Sequence, residues 1–285
     1  MTSIPCARDE ALTHQIEEMA EVLKTQAHKL GTHGLDEADF YNSGLFRGAI
    51  ERIRGQFSAS ISDKKVFVQH VLNHLEDQHL VRAWEHTESA NRNDYRVTME
   101  GGRVAVIDLK GCLDGNNTTI FERPQDANEF VVWSICTNLG ADPQRNAWSG
   151  INTRLAAEVL SRRQNVDGLI IWDMFCGTVG RPCPKISADR GRKTTLGPFN
   201  VPPPCIYLFP SVPNGDIASG TLVAQPLDQV KLLNAFHTAF CGAPSEINFV
   251  DFDISYRNSE RYLQTTIRRG GRVAMQSSAR KSRRA

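Results

Sequence analysis

The chain has 285 residues, of which 40% are hydrophobic and 23% are charged, so it can build a hydrophobic core as one large domain or two small ones. It has no run of about 18 apolar residues and its first 30 residues are polar and acidic, so we expect neither a membrane-spanning helix nor a secretory signal. Seven cysteines, an odd number spread over the chain, argue against a disulfide framework and for a reduced, cytoplasmic protein.

Charge is distributed unevenly along the chain. Eight arginines and lysines and no carboxylate follow Glu260, whereas residues 1–260 carry 25 basic and 32 acidic side chains. We interpret residues 261–285 as a basic C-terminal tail on an acidic body, which indicates a polyanionic partner. The alternative is a tail that is only solvated.

The first part of the chain is predicted to be helical. Apolar residues recur there at spacings of three and four, which is typical of amphipathic helices. The predicted helices cover residues 9–30, about 43–57 and 62–79. Glycines and an acidic stretch interrupt the pattern between the first two helices. We therefore expect residues 1–80 to form a helical N-terminal subdomain.

From residue 81 onward, short strands alternate with helices. Strands are predicted at 80–86, 94–99, 103–110, 166–172, 205–209 and 247–255, and helices at 146–163 and 226–240. Residues 127–138 fit either a helix or a strand, and the Gly- and Pro-rich residues 174–213 are expected to be an irregular insertion around one strand. This order predicts an α/β (α+β) fold for residues 81–260, with a mixed central sheet flanked by helices.

The strand at residues 103–110 ends in opposite charges. Asp108 and Lys110 point to the same face, directly after an apolar run. Because burying a charge is costly unless it is paired or binds an ion, two interpretations are open. The two residues form a structural ion pair, or Asp108 binds a divalent cation while Lys110 stabilises a developing anion.

A second carboxylate, Asp94, favours the cation. If residues 100–102 form a three-residue hairpin loop, Asp94 lies opposite Asp108, at a Cβ separation of about 5 Å. Two carboxylates so close repel each other, and a bound Mg²⁺ removes that penalty. A two-residue loop would instead place Asp94 opposite Leu109, on the wrong face.

Asp94, thirteen intervening residues and Asp108-Leu109-Lys110 at the end of a hydrophobic strand resemble the signature of the PD-(D/E)xK nucleases, which include the type II restriction endonucleases. The resemblance spans roughly residues 85–175. It implies a restriction-endonuclease-like core that hydrolyses phosphodiester bonds in double-stranded DNA. Asp94, Asp108 and the backbone carbonyl of Leu109 would bind Mg²⁺, and Lys110 would orient the attacking water.

Many members of this superfamily add a carboxylate from an earlier helix. Glu51 is the first candidate here, followed by Glu88 and Glu76. The alternative is that these glutamates are simply solvated, as exposed helical glutamates usually are.

Several further side chains carry donors suited to phosphates or base edges. The candidates for DNA contacts are Asn116, Asn117, Arg145, Asn146, Ser149, Asn152, Arg154, Arg268 and Arg269. The alternatives are an ordinary turn after the strand, a polar helix start packed by Trp148 and a solvated tail. Cys176, Cys183 and Cys205 lack the spacing of zinc ligands and are interpreted as scattered thiols.

Together these features predict a Mg²⁺-dependent type II restriction endonuclease that acts on double-stranded DNA and not at a membrane. Cutting both strands of a palindrome requires two-fold symmetry, so a homodimer is expected. One alternative is a DNA repair or recombination nuclease that recognises structure on the same core. The other is a non-catalytic nucleic-acid-binding protein in which Asp94, Asp108 and Lys110 form a buried ion-pair cluster.

Overall fold

The computed structural model describes most of the chain from residue 61 onward and parts of the preceding segment. The described residues are 10–25, 34, 36–42, 45–46, 49, 61–87, 94–113, 120, 123–136, 143–178, 183, 185, 192–212, 217–240 and 242–282. The chain divides into two compact units, Met1–Ile61 and Ser62–Ala285. Within the described ranges, every helix is too short or too polar to cross a bilayer.

The smaller unit contains helices α1 (Glu10–Thr25) and α2 (Glu37–Asn42). Its hydrophobic core consists of Ile16, Met19, Ala20, Phe40, Leu45 and Ala49. α1 confirms the first predicted helix over the residues described. α2 lies where an interruption was predicted, and that prediction was wrong because Asp36 caps a new helix. Its side chain accepts a hydrogen bond from the Asp39 N–H at 2.8 Å.

Helix α3 (Ile61–Asp77) confirms the helix predicted over residues 62–79. It does not group with the preceding residues as the predicted helical subdomain of residues 1–80 implies, however, because its apolar face belongs to the core of the larger unit. The buried side chains of that face are Phe67, Val68, Val71, Leu72 and Leu75. The boundary between the units therefore lies at residue 61, one helix earlier than predicted. Most of the helix predicted over 43–57 lies outside the described residues.

The described part of the larger unit contains thirteen strands, of which eleven form one mixed sheet and two form a separate hairpin. The strands in chain order are β1 (Ala83–His86), β2 (Tyr95–Thr98), β3 (Val104–Lys110), β4 (Glu129–Ser134), β5 (Gly168–Ile171), β6 (Thr194–Leu196), β7 (Phe199–Val201), β8 (Cys205–Leu208), β9 (Gly220–Leu222), β10 (Asn248–Arg257), β11 (Glu260–Arg269), β12 (Arg272–Gln276) and β13 (Arg280–Lys281). The main path of the sheet is β1-β2-β3-β4-β5-β8-β10-β11-β12, with β9 beside β10 and β13 beside β11. β3, β4 and β5 are parallel, so residues 127–138 contribute a strand rather than a helix.

Two hydrophobic cores cover the two faces of this sheet, because successive strand residues point to opposite faces. α3 and α6 (Lys231–Ala239) pack on one face around Trp133 and Trp172, whose stacked rings are 6.1 Å apart. The other face is covered by α4 (Pro143–Gly150) and α5 (Ala156–Ser161), which a π-helical turn joins. The α/β class and the mixed sheet flanked by helices are confirmed, whereas a restriction-endonuclease-like core remains a prediction.

The irregular insertion predicted at residues 174–213 contains more strand than expected. One strand was predicted there, and it is present as β8, but a separate antiparallel hairpin, β6–β7, precedes it. The turn of this hairpin includes Gly197 at a φ of 54°, a conformation that favours glycine. Strands of three residues are too short to show a periodic pattern, which is why the sequence did not predict them.

The predicted basic tail, residues 261–285, is described up to residue 282, and most of that part belongs to the sheet. β11 pairs with β10 over ten residues, and β12 turns back along β11. Leu263, Thr265 and Ile267 are buried on one side of β11, which is the alternation of a half-buried strand. Gly270 and Gly271, at φ of 57° and 74°, form the turn. The high density of charge hid this period in the sequence.

The close approach of β5 to α6 provides a test of the fold. A Cβ added to Gly168 would collide with the Leu233 side chain and would lie 2.8 Å from the Tyr207 carbonyl oxygen. We expect Gly168→Ala to lower the free energy of unfolding by about 1–3 kcal/mol, because overpacking forces backbone shifts. Urea denaturation followed by circular dichroism measures this.

Gly111→Ala is the matched control for Gly168→Ala. Its added Cβ would lie 3.8 Å from the Lys64 Nζ, an ordinary contact distance. We expect its unfolding free energy to stay within about 0.5 kcal/mol of the parent protein. Equal stability of the two variants would contradict the packing of β5 against α6.

Candidate functional site

The hairpin of β2 and β3 has the register that a three-residue loop predicts. Glu100–Gly102 form a single 3₁₀ turn, and the Met99 N–H donates to the Arg103 carbonyl at 2.8 Å. Further along the ladder, Tyr95 pairs with Ile107. The paired residues end there, and Asp94, which directly precedes β2, bonds to Ile107 and Leu109, so its position opposite Asp108 stays a prediction. The two-residue loop that would have shifted the register is absent from this hairpin.

At the end of this ladder, Asp94 forms hydrogen bonds with both residues that flank Asp108 in the sequence. Its N–H donates to the Ile107 carbonyl at 3.0 Å, and its carboxylate accepts the Leu109 N–H at 2.7 Å. The N–H and the C=O of one strand residue point to the same neighbouring strand, so the Leu109 carbonyl also points towards the Asp94 side. The Asp94 carboxylate is half-buried at the rim of the sheet.

Asp108 and Lys110 form an ion pair on the face that α4 and α5 cover. The Lys110 Nζ lies 2.5 Å from an Asp108 carboxylate oxygen, and the two side chains are 13% and 1% exposed. Asp108 shares its face with Val106 and Val132. The ammonium compensates the buried carboxylate while it stays reachable from solvent, so both interpretations of the pair are compatible with its geometry.

Two residues near this strand end were not found from the sequence. Lys64, in the first turn of α3, lies close to Gly111, which follows β3 directly. Burial lowers the pKa of the Lys64 ammonium, and the negative charge of Asp173 opposes that effect. Asp173 follows β5 and is buried. No short-range pattern links residue 64 to residue 111, so only the packing of α3 on the sheet brings this second lysine to the site.

The additional carboxylate remains an open prediction. Glu51 and Glu88 lie outside the described residues, although the Thr87 N–H, directly before Glu88 in sequence, donates to the Asp94 carbonyl at 3.0 Å. Glu76 is an exposed residue in the last turn of α3, about 18 Å along the helix from Lys64, which removes it from the site. In the part of the chain that the structure describes, no three His, Cys, Asp or Glu side chains are grouped as potential metal ligands.

The predicted DNA contacts at the start of α4 have different surroundings. Arg145 is exposed in the first turn. Asn146 is buried, and its side-chain oxygen accepts the Leu113 N–H at 2.6 Å, so it fixes the segment that follows β3. Ser149, Asn152 and Arg154 are half-buried. Asn116 and Asn117 lie outside the described part of the chain.

The two arginines predicted from the C-terminal segment also differ. Arg268 makes a bidentate ion pair with Asp251, at 2.5 and 3.0 Å, and this pairing raises the pKa of the guanidinium. Arg269, on the opposite side of β11, is exposed. Arg268 therefore has a structural partner, whereas the side chain of Arg269 extends into solvent.

The cysteines are arranged differently from the sequence-based expectation. Cys112 and Cys136, which follow β3 and β4, form a disulfide. The sequence argued against disulfides because the number of cysteines is odd, but an odd count does not exclude one pair that the ends of neighbouring strands bring together. Cys176, Cys183 and Cys205 are not part of a disulfide.

The chain matches no protein-family model, no curated protein and no solved structure. The likeness to the PD-(D/E)xK nucleases therefore rests on residues 94–110 and on the strands around them.

Tyr95 reports on the charge of Asp94. Burial, with a smaller contribution from the Asp94 carboxylate, raises the pKa of the Tyr95 hydroxyl to about 12. Absorbance titration of the parent protein minus Tyr95→Phe should show one phenol that ionises near pH 12 rather than near 10. Asp94→Asn should lower that pKa, and a Tyr95 phenol that titrates near 10 would contradict this environment.

The same shift makes the stability depend on pH. Because the folded-state pKa is raised, the contribution of Tyr95 is complete below pH 10 and is lost as the pH rises from 10 towards 12. Over that interval we expect the unfolding free energy of the parent protein to fall more steeply than that of Tyr95→Phe. Denaturant titrations at several pH values measure the difference, and parallel curves would refute it.

Proposed function

We propose that this protein is a Mg²⁺-dependent type II restriction endonuclease, a homodimer that hydrolyses phosphodiester bonds at a short specific sequence in double-stranded DNA. One observation carries the proposal. At the end of a buried strand, Asp108 lies beside the Lys110 ammonium, and the Asp94 carboxylate accepts the N–H of Leu109, the residue between them. Two carboxylates and one ammonium at adjacent strand positions are the groups that this chemistry requires.

The donor atoms at this strand end fit Mg²⁺. Mg²⁺ prefers oxygen ligands, and the Asp94 carboxylate, the Asp108 carboxylate and the Leu109 carbonyl supply them. The Leu109 carbonyl points towards the side on which Asp94 lies, as the hydrogen bond from its N–H to Asp94 indicates. A bound Mg²⁺ would neutralise charge on the phosphate and lower the pKa of a coordinated water.

Lys110 has two tasks in this proposal. Before DNA binds, its ammonium compensates Asp108, which would otherwise be a buried unpaired charge. When a phosphate arrives, the same ammonium can donate a hydrogen bond to the attacking water or to the charge that develops on the phosphate. Its short distance to Asp108 limits its motion, so the donor is held in position before the substrate binds.

The ion pair also favours a second candidate function. If the pair of Asp108 and Lys110 is only structural, the protein is a non-catalytic nucleic-acid-binding module. A repair or recombination nuclease on the same core is the other alternative, and it predicts cleavage of branched or flapped DNA without sequence preference. These three functions give different products with the same set of substrates.

The decisive experiment is DNA cleavage by purified variants. We expect Mg²⁺-dependent, discrete fragments from plasmid and phage DNA, and loss of cleavage when a chelator is added. Asp108→Asn and Lys110→Ala should each reduce the rate at least 100-fold, because preorganised charges stabilise the transition state. Gel-based rate measurements determine the ratios, and light scattering determines whether the protein is dimeric.

Asp228→Asn and Lys193→Ala are the matched controls. Both side chains are exposed in the larger unit, and each control removes the same charge as the corresponding site variant. Control variants that cleave at the parent rate confine the effect to the strand end. Full cleavage by Asp108→Asn or Lys110→Ala would disprove the site, and DNA binding without cleavage under any condition would establish the non-catalytic function instead.

A further inference from the structure

The candidate catalytic strand and the β11–β12 hairpin are connected by a continuous row of paired residues. This row crosses six neighbouring strands, and its members in order are Asp108, Val132, Leu169, Tyr207, Asn248 and Arg269. Arg272 of β12 pairs with Arg269 and extends the row by one strand. Residues of one row share a face of the sheet, so Asp108 and Arg269 project on the same face.

The row also runs close to one end of the sheet. Asp108 is two residues before the end of β3, and Arg269 is the last residue of β11. Strands are spaced about 4.8 Å apart, so the five steps between Asp108 and Arg269 span about 24 Å. The tip of the β11–β12 hairpin therefore lies at the same rim as the candidate catalytic residues.

The start of α4 belongs to this rim as well. Asn146 bonds to Leu113, just beyond β3, and the Gln144 side chain lies 4.0 Å from the Met275 sulfur on β12. Arg145, which lies between Gln144 and Asn146 in the sequence, is exposed. A basic side chain therefore lies between the two ends of the row.

The hairpin tip differs from three of the four other basic groups described in this segment, the exception being the exposed Arg280 of β13. Arg268 pairs with Asp251, Lys281 pairs with Glu260, and Arg261 donates to the Leu160 carbonyl. By contrast, Arg269 and Arg272 are exposed, and neither forms an ion pair with another described residue. Two uncompensated guanidinium groups thus flank a two-glycine turn, and Val273, 59% exposed, follows them.

We propose that the β11–β12 hairpin enters the major groove of double-stranded DNA and reads base edges there while Asp108 and Lys110 act on the backbone. The proposal rests on DNA being the substrate. A two-stranded ribbon fits the major groove of B-DNA, and arginine is the commonest partner of guanine in that groove. A duplex whose axis follows the row covers 24 Å in about seven base pairs, so one duplex reaches both places.

Binding of a 30-base-pair cleavable duplex, measured by fluorescence anisotropy in a chelator, tests the hairpin. Arg269→Ala/Arg272→Ala should weaken binding at least tenfold. It should also reduce the magnitude of the slope of the logarithm of the association constant against the logarithm of the salt concentration by about 1.8, because two phosphate- or base-directed charges are removed. Arg269→Lys/Arg272→Lys should keep the salt slope yet lose the preference for the cleavable sequence, since lysine cannot make the bidentate contact. In the complex with the parent protein, guanine N7 atoms of the site should be protected from methylation by dimethyl sulfate. In the complex with the alanine variant, the same atoms should be methylated.

Arg82→Ala/Arg257→Ala is the matched control for charge. Both arginines are exposed at the opposite end of the sheet, Arg82 beside Thr98 and Arg257 at the end of β10. This variant should bind with the affinity and the salt slope of the parent protein. A duplex RNA of the same sequence should bind more weakly than the DNA, because the major groove of A-form RNA does not admit a ribbon.

The outcomes separate the two proposals. If the parent protein cleaves DNA and the Arg269/Arg272 alanine variant has unchanged affinity, salt slope and guanine protection, the hairpin is not the groove-binding element although the nuclease stands. If binding is lost equally for DNA and RNA, the arginines contact only phosphates and groove entry is overturned. If the parent protein binds no DNA, or prefers vesicles of anionic lipid, both the hairpin proposal and the nuclease are overturned.

Discussion

The ion pair of Asp108 and Lys110 is the constraint on which the candidate site depends. A carboxylate that is 1% exposed at the end of an apolar strand is costly unless a positive charge lies beside it. The ammonium two residues later on the same strand supplies that charge with no need for another element. Strand geometry places both groups on one face, so the backbone itself positions the pair. The site is thus built into the sheet, and the loops need only leave it accessible.

The rest of the larger unit determines what surrounds this pair. Packing of α4 and α5 on the same face excludes water from Asp108, and packing of α3 on the other face brings Lys64 to the end of β3. The long row of paired residues from β3 to β11 places a second basic element at the same rim. One end of one sheet therefore combines carboxylates, half-buried ammonium groups and exposed arginines.

Local patterns in the sequence predicted much of this arrangement. The alternation of residues 94–99, the two glycines of the loop and the apolar run before Asp108 are sufficient to predict the β2–β3 hairpin, and its register is confirmed from Tyr95 opposite Ile107 to Thr98 opposite Val104. The same logic predicted α1, α3 and the strands β4 and β5, apart from the choice between helix and strand at β4. Predictions based on charge counts were less successful. The basic segment after Glu260 was interpreted as a tail, although its buried side chains alternate as in a strand.

The sequence by itself determined the α/β class, the charged strand end and its register, because these depend on contacts between residues near each other in the chain. Only the tertiary structure decided which residues that are distant in the sequence contact each other. Arg268 forms an ion pair with Asp251, and the side chain of Asn146 accepts a hydrogen bond from the Leu113 N–H. Lys64 lies beside Gly111, and Arg269 lies in the same row of paired residues as Asp108. These contacts depend on which strands are neighbours and on which face each helix packs. Such choices are set by the burial of the whole core, and no short window of sequence contains them.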